Sequence, residues 1–166
     1  MVGVSVAHRV STDTQLARLL QIGVVLEEVV EVRAARHYEA LSPGERDAAI
    51  EALLEDAREE SADHRERLEA LIDELDAEAV PIEEIEALVE GQYARTGPED
   101  FDGVLYDQLH GEETAYKFYD DLIEAVEASD AEFGLDRERL LATLTDIREE
   151  EADGVEDVTA VMEARE

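Results

Sequence analysis

The segment Arg58-Glu59-Glu60-Ser61-Ala62-Asp63-His64 (REESADH) reappears, slightly altered, as Arg148-Glu149-Glu150-Glu151-Ala152-Asp153-Gly154 (REEEADG). The two copies differ only in the columns Ser61/Glu151 and His64/Gly154. These columns are three residues apart, so on a helix they share one face. Around the first copy, Ile50, Leu53, Leu54, Ala57, Leu68, Leu71 and Ile72 recur at the three-and-four spacing of a buried helical stripe. Ser61 and His64 fall at the centre of that stripe, and the same projection centres Glu151 and Gly154. Glu60 and Glu150 lie on its shoulder, and Asp63 and Asp153 point outward.

Working outward, helical periodicity covers four stretches, about 14–41, 43–76, 103–128 and 136–164. The first places Leu16, Leu19, Leu20, Val24, Glu31, Ala34, Tyr38 and Leu41 on one stripe. It stops at Ser42-Pro43-Gly44-Glu45, where Ser42 is placed to cap the second helix, Pro43 suits its first turn and Glu45 completes a capping box. Such a tight junction makes the first two helices an antiparallel pair, and Ser129 to Leu135 join the last two as briefly. Residues 77–102 are long enough to run the length of a bundle. Pro81 opens a short extra helix in this segment, and Thr96-Gly97-Pro98 breaks it. Strand signals are absent. The expected fold is all-α: one domain over 1–166, a four-helix bundle of two hairpins joined by a long crossover. The hairpins also match each other, since Glu31-x-x-Ala34-x-x-x-Tyr38 returns as Glu112-x-x-Ala115-x-x-x-Tyr119. A duplicated hairpin is the economical explanation.

Charge narrows the setting. There are 46 acidic residues against 14 basic ones, a net charge of −32, and Lys117 is the sole lysine. Such a surface repels itself in dilute buffer, but at 1 M salt the screening length falls to about 3 Å. The expectation is a protein of a salt-accumulating cytoplasm, of the halophilic archaeal type. Periodic hydrophobic content of 45% argues against an acidic disordered chain. Without a basic patch, nucleic acid and anionic membranes are not expected partners. No apolar run reaches the ~20 residues of a membrane span, and the first ten residues lack the charged start of a signal peptide. A soluble, cytoplasmic protein is expected. Zero cysteines exclude thiolate catalysis, iron–sulfur ligation and a built-in thiolate-bound electron relay.

Glu31 and Glu112 fall in the middle of otherwise apolar stripes. Burying an unpaired carboxylate costs several kcal/mol, so acids clustered on three inner faces must be protonated, paired or bound to a metal. With no arginine on these inner stripes, a metal is the expected resolution.

The arrangement resembles the ferritin-like superfamily, in particular its rubrerythrin-type members. These have four helices, with a Glu on each of two and Glu-x-x-His on each of the others, all projecting inward onto two metal ions. The Glu-x-x-Ala-x-x-x-Tyr spacing on helices one and three is similar to the first helix of that type, and the likeness runs from about Gln15 to Met162. The resemblance implies Glu31 and Glu112 as terminal carboxylate ligands, Glu151 as a bridging one and His64 as an imidazole ligand. It implies Tyr38 and Tyr119 as hydrogen-bonding supports behind them. Ser61 and Gly154 depart from the pattern, one replacing the expected Glu and the other the expected His. Glu60, at i and i+4 from His64, is the candidate replacement carboxylate, and Gly154 leaves room for water or substrate.

The implied cofactor is iron, with manganese as the alternative, at one or two ions per chain. The implied activity is oxidation of iron, or removal of peroxide or oxygen, with electrons from iron itself or an external donor. A homo-oligomer is expected, a dimer by analogy. The competing expectation is a metal-poor bundle serving as a binding or structural module; an iron-storage cage is less favoured. His8, His37 and His110 are expected at the surface.

Overall fold

The computed structural model describes residues 10–44, 48–75, 77 and 101–164, without the side chains of 37, 38, 40, 101–104 and 106–107. Four helices account for nearly all of them: α1 (Asp13–Ala40), α2 (Ala48–Glu74), α3 (Phe101–Ala128) and α4 (Arg137–Ala164). No strand occurs among the described residues, and the all-helical, four-helix expectation holds. Of the expected crossover over 77–102, residues 78–100, which include the short helix, lie outside the described residues, as does Glu45 of the expected capping box, and 101–102 already belong to α3. Pro43 and Gly44 form a turn, and α2 is described from Ala48 onward.

Local chemistry fixes the helix ends. Thr12 caps α1, its Oγ1 accepting from the Gln15 amide at 3.1 Å, while Gln15 Oε1 reaches back to the Ser11 amide at 2.8 Å. Asp136 does the same for α4, accepting from the Glu138 amide at 3.2 Å. The α1 and α4 starts meet where Asp13 accepts the Gly134 amide at 3.0 Å. Arg137 holds the end of α3 and the loop after it, its guanidinium donating to the oxygens of Val126 and Glu127 in the helix and of Ser129 and Ala131 beyond it. Carbonyls at and just beyond a helix C-terminus, and the dipole's negative end, thus meet one of the chain's few cations.

α1 packs most extensively on α2, and α3 on α4; α1 against α3 and α2 against α4 complete the square. Every neighbouring pair is antiparallel. On α1 and α3, Gly23 lies by Phe118 and Val30 by Gly111. On α2 and α4, His64 meets Glu151 and Glu74 meets Arg139. It follows that α2 and α3 run in the same direction, so Leu75 and Phe101 lie at opposite ends of the bundle.

The core is divided along its length. One apolar cluster, containing Leu16, Leu20, Leu68, Leu71, Leu122 and Leu144, fills one end. A smaller one of Ala34, Leu41, Ile50, Leu54, Leu105 and Val158 fills the other. Between them, one residue layer is polar: Glu27, Ser61, His64, Gln108, Glu112 and Glu151 are all buried there. The expected inward face of α2 is reproduced, with Ile50, Leu54, Ala57, Ser61, His64, Leu68 and Leu71 buried and Leu53 and Ile72 half-buried.

Arg137→Ala should lower stability by about 2 kcal/mol, the scale of charged hydrogen bonds lost at a helix end. In molar KCl, thermal unfolding would show this as a fall of roughly 4–8 °C. A change within about 0.5 kcal/mol, typical of surface substitutions, would mean that the guanidinium does not hold the α3–α4 junction.

Candidate metal centre

The polar layer is organised around His64, which has no exposed surface. Its Nδ1 lies 3.1 Å from Glu151 Oε1 and 3.3 Å from Glu27 Oε2. On the other side of the ring, Nε2 lies 3.4 Å from Glu150 Oε1 and 3.7 Å from Glu60 Oε1. The imidazole therefore faces two carboxylate pairs, one buried and one about a third exposed. Both groups, Glu27–His64–Glu151 and Glu60–His64–Glu150, bring their ligand-type atoms within 4.8 Å of one another. An ion bonded at about 2.1 Å leaves its ligand atoms roughly 3–4 Å apart, so either group needs only small side-chain adjustments to enclose one.

Further contacts fix the inner group. The fully buried Tyr119 hydroxyl donates to Glu27 Oε2 at 2.5 Å. Gln108 Nε2 donates to Glu112 Oε1 at 3.1 Å, and Glu112 and Glu151 hydrogen-bond each other, which requires a proton on one of them. Glu27 Oε1 is buried with no hydrogen-bond partner. A buried carboxylate oxygen left without a donor carries a desolvation cost that a cation at that position would remove. Carboxylates and one imidazole form an oxygen-rich donor set with one nitrogen, of the kind that could hold a metal ion.

The structure relocates several sequence-derived expectations. His64, Glu112 and Glu151 lie together in the buried layer, and Tyr119 supports it. The inward carboxylate of α1 is Glu27 rather than Glu31. Glu31 is displaced because α2 offers a cation at its level: Arg65 Nη1 donates to Glu31 Oε2 at 2.9 Å, and the side chains are 31% and 29% exposed. A second arginine, Arg67, holds Glu150 Oε2 at 2.9 Å and also pairs with Asp63. The expectation that arginine supplies no partner on these faces is thus corrected. Gly154 does not leave a vacancy: a Cβ there would lie 2.6 Å from Glu112 Oε2, so the missing side chain is what admits the Glu112 carboxylate. Glu60 approaches Nε2, away from the Glu27–Glu151 pair. The Tyr38 and His37 side chains and His8 lie outside the described residues, and His110 is exposed.

Glu27 and Gln108 carried a signal in the sequence. The register that matches Glu31 to Glu112 also matches Glu27 to Gln108, one turn earlier. Each hairpin thus presents two polar residues a turn apart on an apolar stripe.

Burial, reinforced by the charges of Glu27 and Glu112, pushes the Glu151 carboxyl well above the usual range. Burial raises Glu112 as well, against the hydrogen bonds from Glu151 and Gln108. Glu60 is pushed up to about 7 from an ordinary 4.5, chiefly by burial and against the attraction of His64. For His64, burial acts downward, but the hydrogen bond and charge of Glu27, with Glu60 and Glu150, outweigh it and the net shift is upward. Burial beside Glu27 and Glu151 keeps Tyr119 protonated far into the basic range.

These shifts give the metal-free protein a definite pH dependence. Between 4.5 and about 7 the folded chain keeps a proton on Glu60 that the unfolded chain has released, so stability falls as pH rises through that window. The raised His64 acts in the same direction, its contribution being complete below 6.5 and lost above that. Unfolding in molar KCl with chelator should therefore show lower stability at pH 7.5 than at pH 5. Glu60→Gln should remove on the order of 1 kcal/mol of that fall, after allowance for solvent screening of a partly exposed group. An unchanged slope in the variant would show that Glu60 ionises normally. Comparison of the chain with protein-family models, curated proteins and solved structures finds no match, so the functional reading rests on this geometry.

Proposed function

We propose that this protein is a ferritin-like, carboxylate–histidine metal protein that binds iron, with manganese as the alternative ion, and oxidises Fe(II) at the expense of peroxide or oxygen. The observation that carries the reading is the Glu27–His64–Glu151 group, buried on all three members, with Glu27 Oε1 lacking any donor. The topology supports it too: α2 and α3 run parallel, as two hairpins joined by a crossover over about 77–102 require. In this reading the inner group holds one ion, and Glu112, hydrogen-bonded to Glu151, is the ligand available to a second.

The chain's own groups would position and insulate that centre. Tyr119 fixes the Glu27 carboxylate by its short hydrogen bond. With an ion bound, Glu150, held by Arg67, would accept from His64 Nε2–H and so free the Nδ1 lone pair for the ion between Glu27 and Glu151, the usual support for a ligating histidine. The apolar clusters on both sides keep water from the inner carboxylates. The bound iron supplies the redox chemistry, and with no cysteine in the chain the electrons come from Fe(II) itself or an external donor.

A second reading, a bundle that kept the fold without the chemistry, is favoured by two observations: Arg65 engages Glu31, and the Glu112 carboxylate occupies the space over Gly154. There the layer stays protonated and hydrogen-bonded. Elemental analysis after loading with Fe(II) or Mn(II) in molar KCl and desalting separates the two. The proposal expects about one ion per chain or more, lost in His64→Ala and Glu27→Ala but kept in Glu31→Ala, with peroxide consumed as Fe(II) is oxidised. Less than about 0.2 ion per chain, unchanged by the substitutions, would establish the second reading.

A further inference from the structure

The buried group has no exposed member: Glu27 is 1% exposed, Glu151 3% and His64 0%. An ion must therefore reach it past another side chain. Among the described residues, the partly exposed carboxylates that touch His64 are Glu60 and Glu150, with side chains 33% and 35% exposed. They stand at Nε2, on the opposite side of the ring from Glu27 and Glu151. The two are not equivalent. Glu150 is fixed by Arg67 through both carboxylate oxygens. Glu60 Oε1 is buried without a hydrogen-bond partner although the rest of its side chain reaches solvent. Two carboxylate oxygens without a donor, Glu60 Oε1 outside and Glu27 Oε1 inside, thus lie on either side of one imidazole.

We infer that Glu60, Glu150 and His64 Nε2 form an outer position for a divalent cation, through which the buried Glu27–His64–Glu151 site is loaded. Glu60 is the mobile member, taking the ion from solvent, and Glu150 is the fixed one. A neutral imidazole offers one lone pair at a time, so the two positions are filled in turn and the ring hands the ion inward. The ring proton moves in the opposite sense to the ion: Nδ1–H is lost to the carboxylates beside it, Glu27 and Glu151, and on to solvent, while Nε2 gains a proton from Glu60 or Glu150, so one N–H bond breaks as another forms and no electron moves. The inference rests on the metal-binding reading above and adds the path to it.

A loading group acts on rates in both directions, whereas a ligand or a support acts on the equilibrium. Stopped-flow absorbance of Co(II) binding to the full chain in molar KCl tells these apart, with equilibrium titration alongside. Glu60→Gln should slow association at least tenfold and slow dissociation in proportion, leaving Kd within about threefold. Glu59→Gln removes the same charge from an exposed neighbouring position and should keep the association rate within about twofold. An unaltered association rate in Glu60→Gln, or an unaltered rate with a weakened Kd, would overturn the loading path while leaving the metal site standing. An equal slowing in Glu59→Gln would reduce the effect to general surface charge and overturn it too. Failure of the wild-type chain to bind Co(II) at all would remove both the path and the site it serves.

Discussion

Carboxylates in an apolar interior are the constraint on which this structure turns. Each must be protonated, hydrogen-bonded or bound to a cation, because an unpaired charge there costs several kcal/mol. The bundle places Glu27, Glu112 and Glu151 in one buried layer with the His64 imidazole, and most of what is distinctive around that layer meets their demands. Tyr119 and Gln108 donate to them, Gly154 makes room for one, and arginines on α2 draw Glu31 and Glu150 outward. Leucine-rich clusters at both ends carry the hydrophobic stabilisation, about 1.5–3 kcal/mol for each fully buried large side chain, so the middle layer is free to be polar.

The asymmetry of the two halves follows from the same accounting of charge. With His64 present and no second histidine at 154, α2 supplies the inner imidazole among the described side chains. The acids then gather on one side of that ring: Glu27 and Glu151 face Nδ1, and Glu112 joins Glu151 over the space a side chain at 154 would fill. In the metal-free state these groups share protons. Their raised affinities for protons and their fitness for a cation have one origin, a concentration of negative charge in a low-dielectric layer. Ion binding must release those protons, so affinity for the metal is expected to rise with pH.

Much of this was legible in the amino-acid sequence. Periodicity located all four helices, and on α2 it marked the buried residues almost one by one because polar and apolar positions alternate cleanly there. α1 was harder. From Ile22 to Val30 it is apolar on nearly every side, so the stripe that takes Glu31 admits Glu27, one turn earlier, equally well, and periodicity alone does not rank them. The ranking came from tertiary neighbours: Tyr119 of α3 opposite Glu27, and Arg65 of α2 opposite Glu31. The Glu31/Glu112 repeat pointed to the wrong member of the pair because a duplicated sequence need not keep duplicated contacts once its partners diverge. Gly154 was likewise open to misreading, since a glycine in a helix face shows that space exists but not which neighbour fills it.

The most direct test of the account is the position of a bound ion. Crystals grown in molar salt and soaked with Mn(II) would locate it by anomalous scattering. The account expects a peak bonded at about 2.0–2.3 Å to Glu27, His64 Nδ1 and Glu151, with Arg65 still on Glu31. A peak on Glu31 with Arg65 displaced, or an inner layer without any peak while surface carboxylates carry Mn(II), would contradict it.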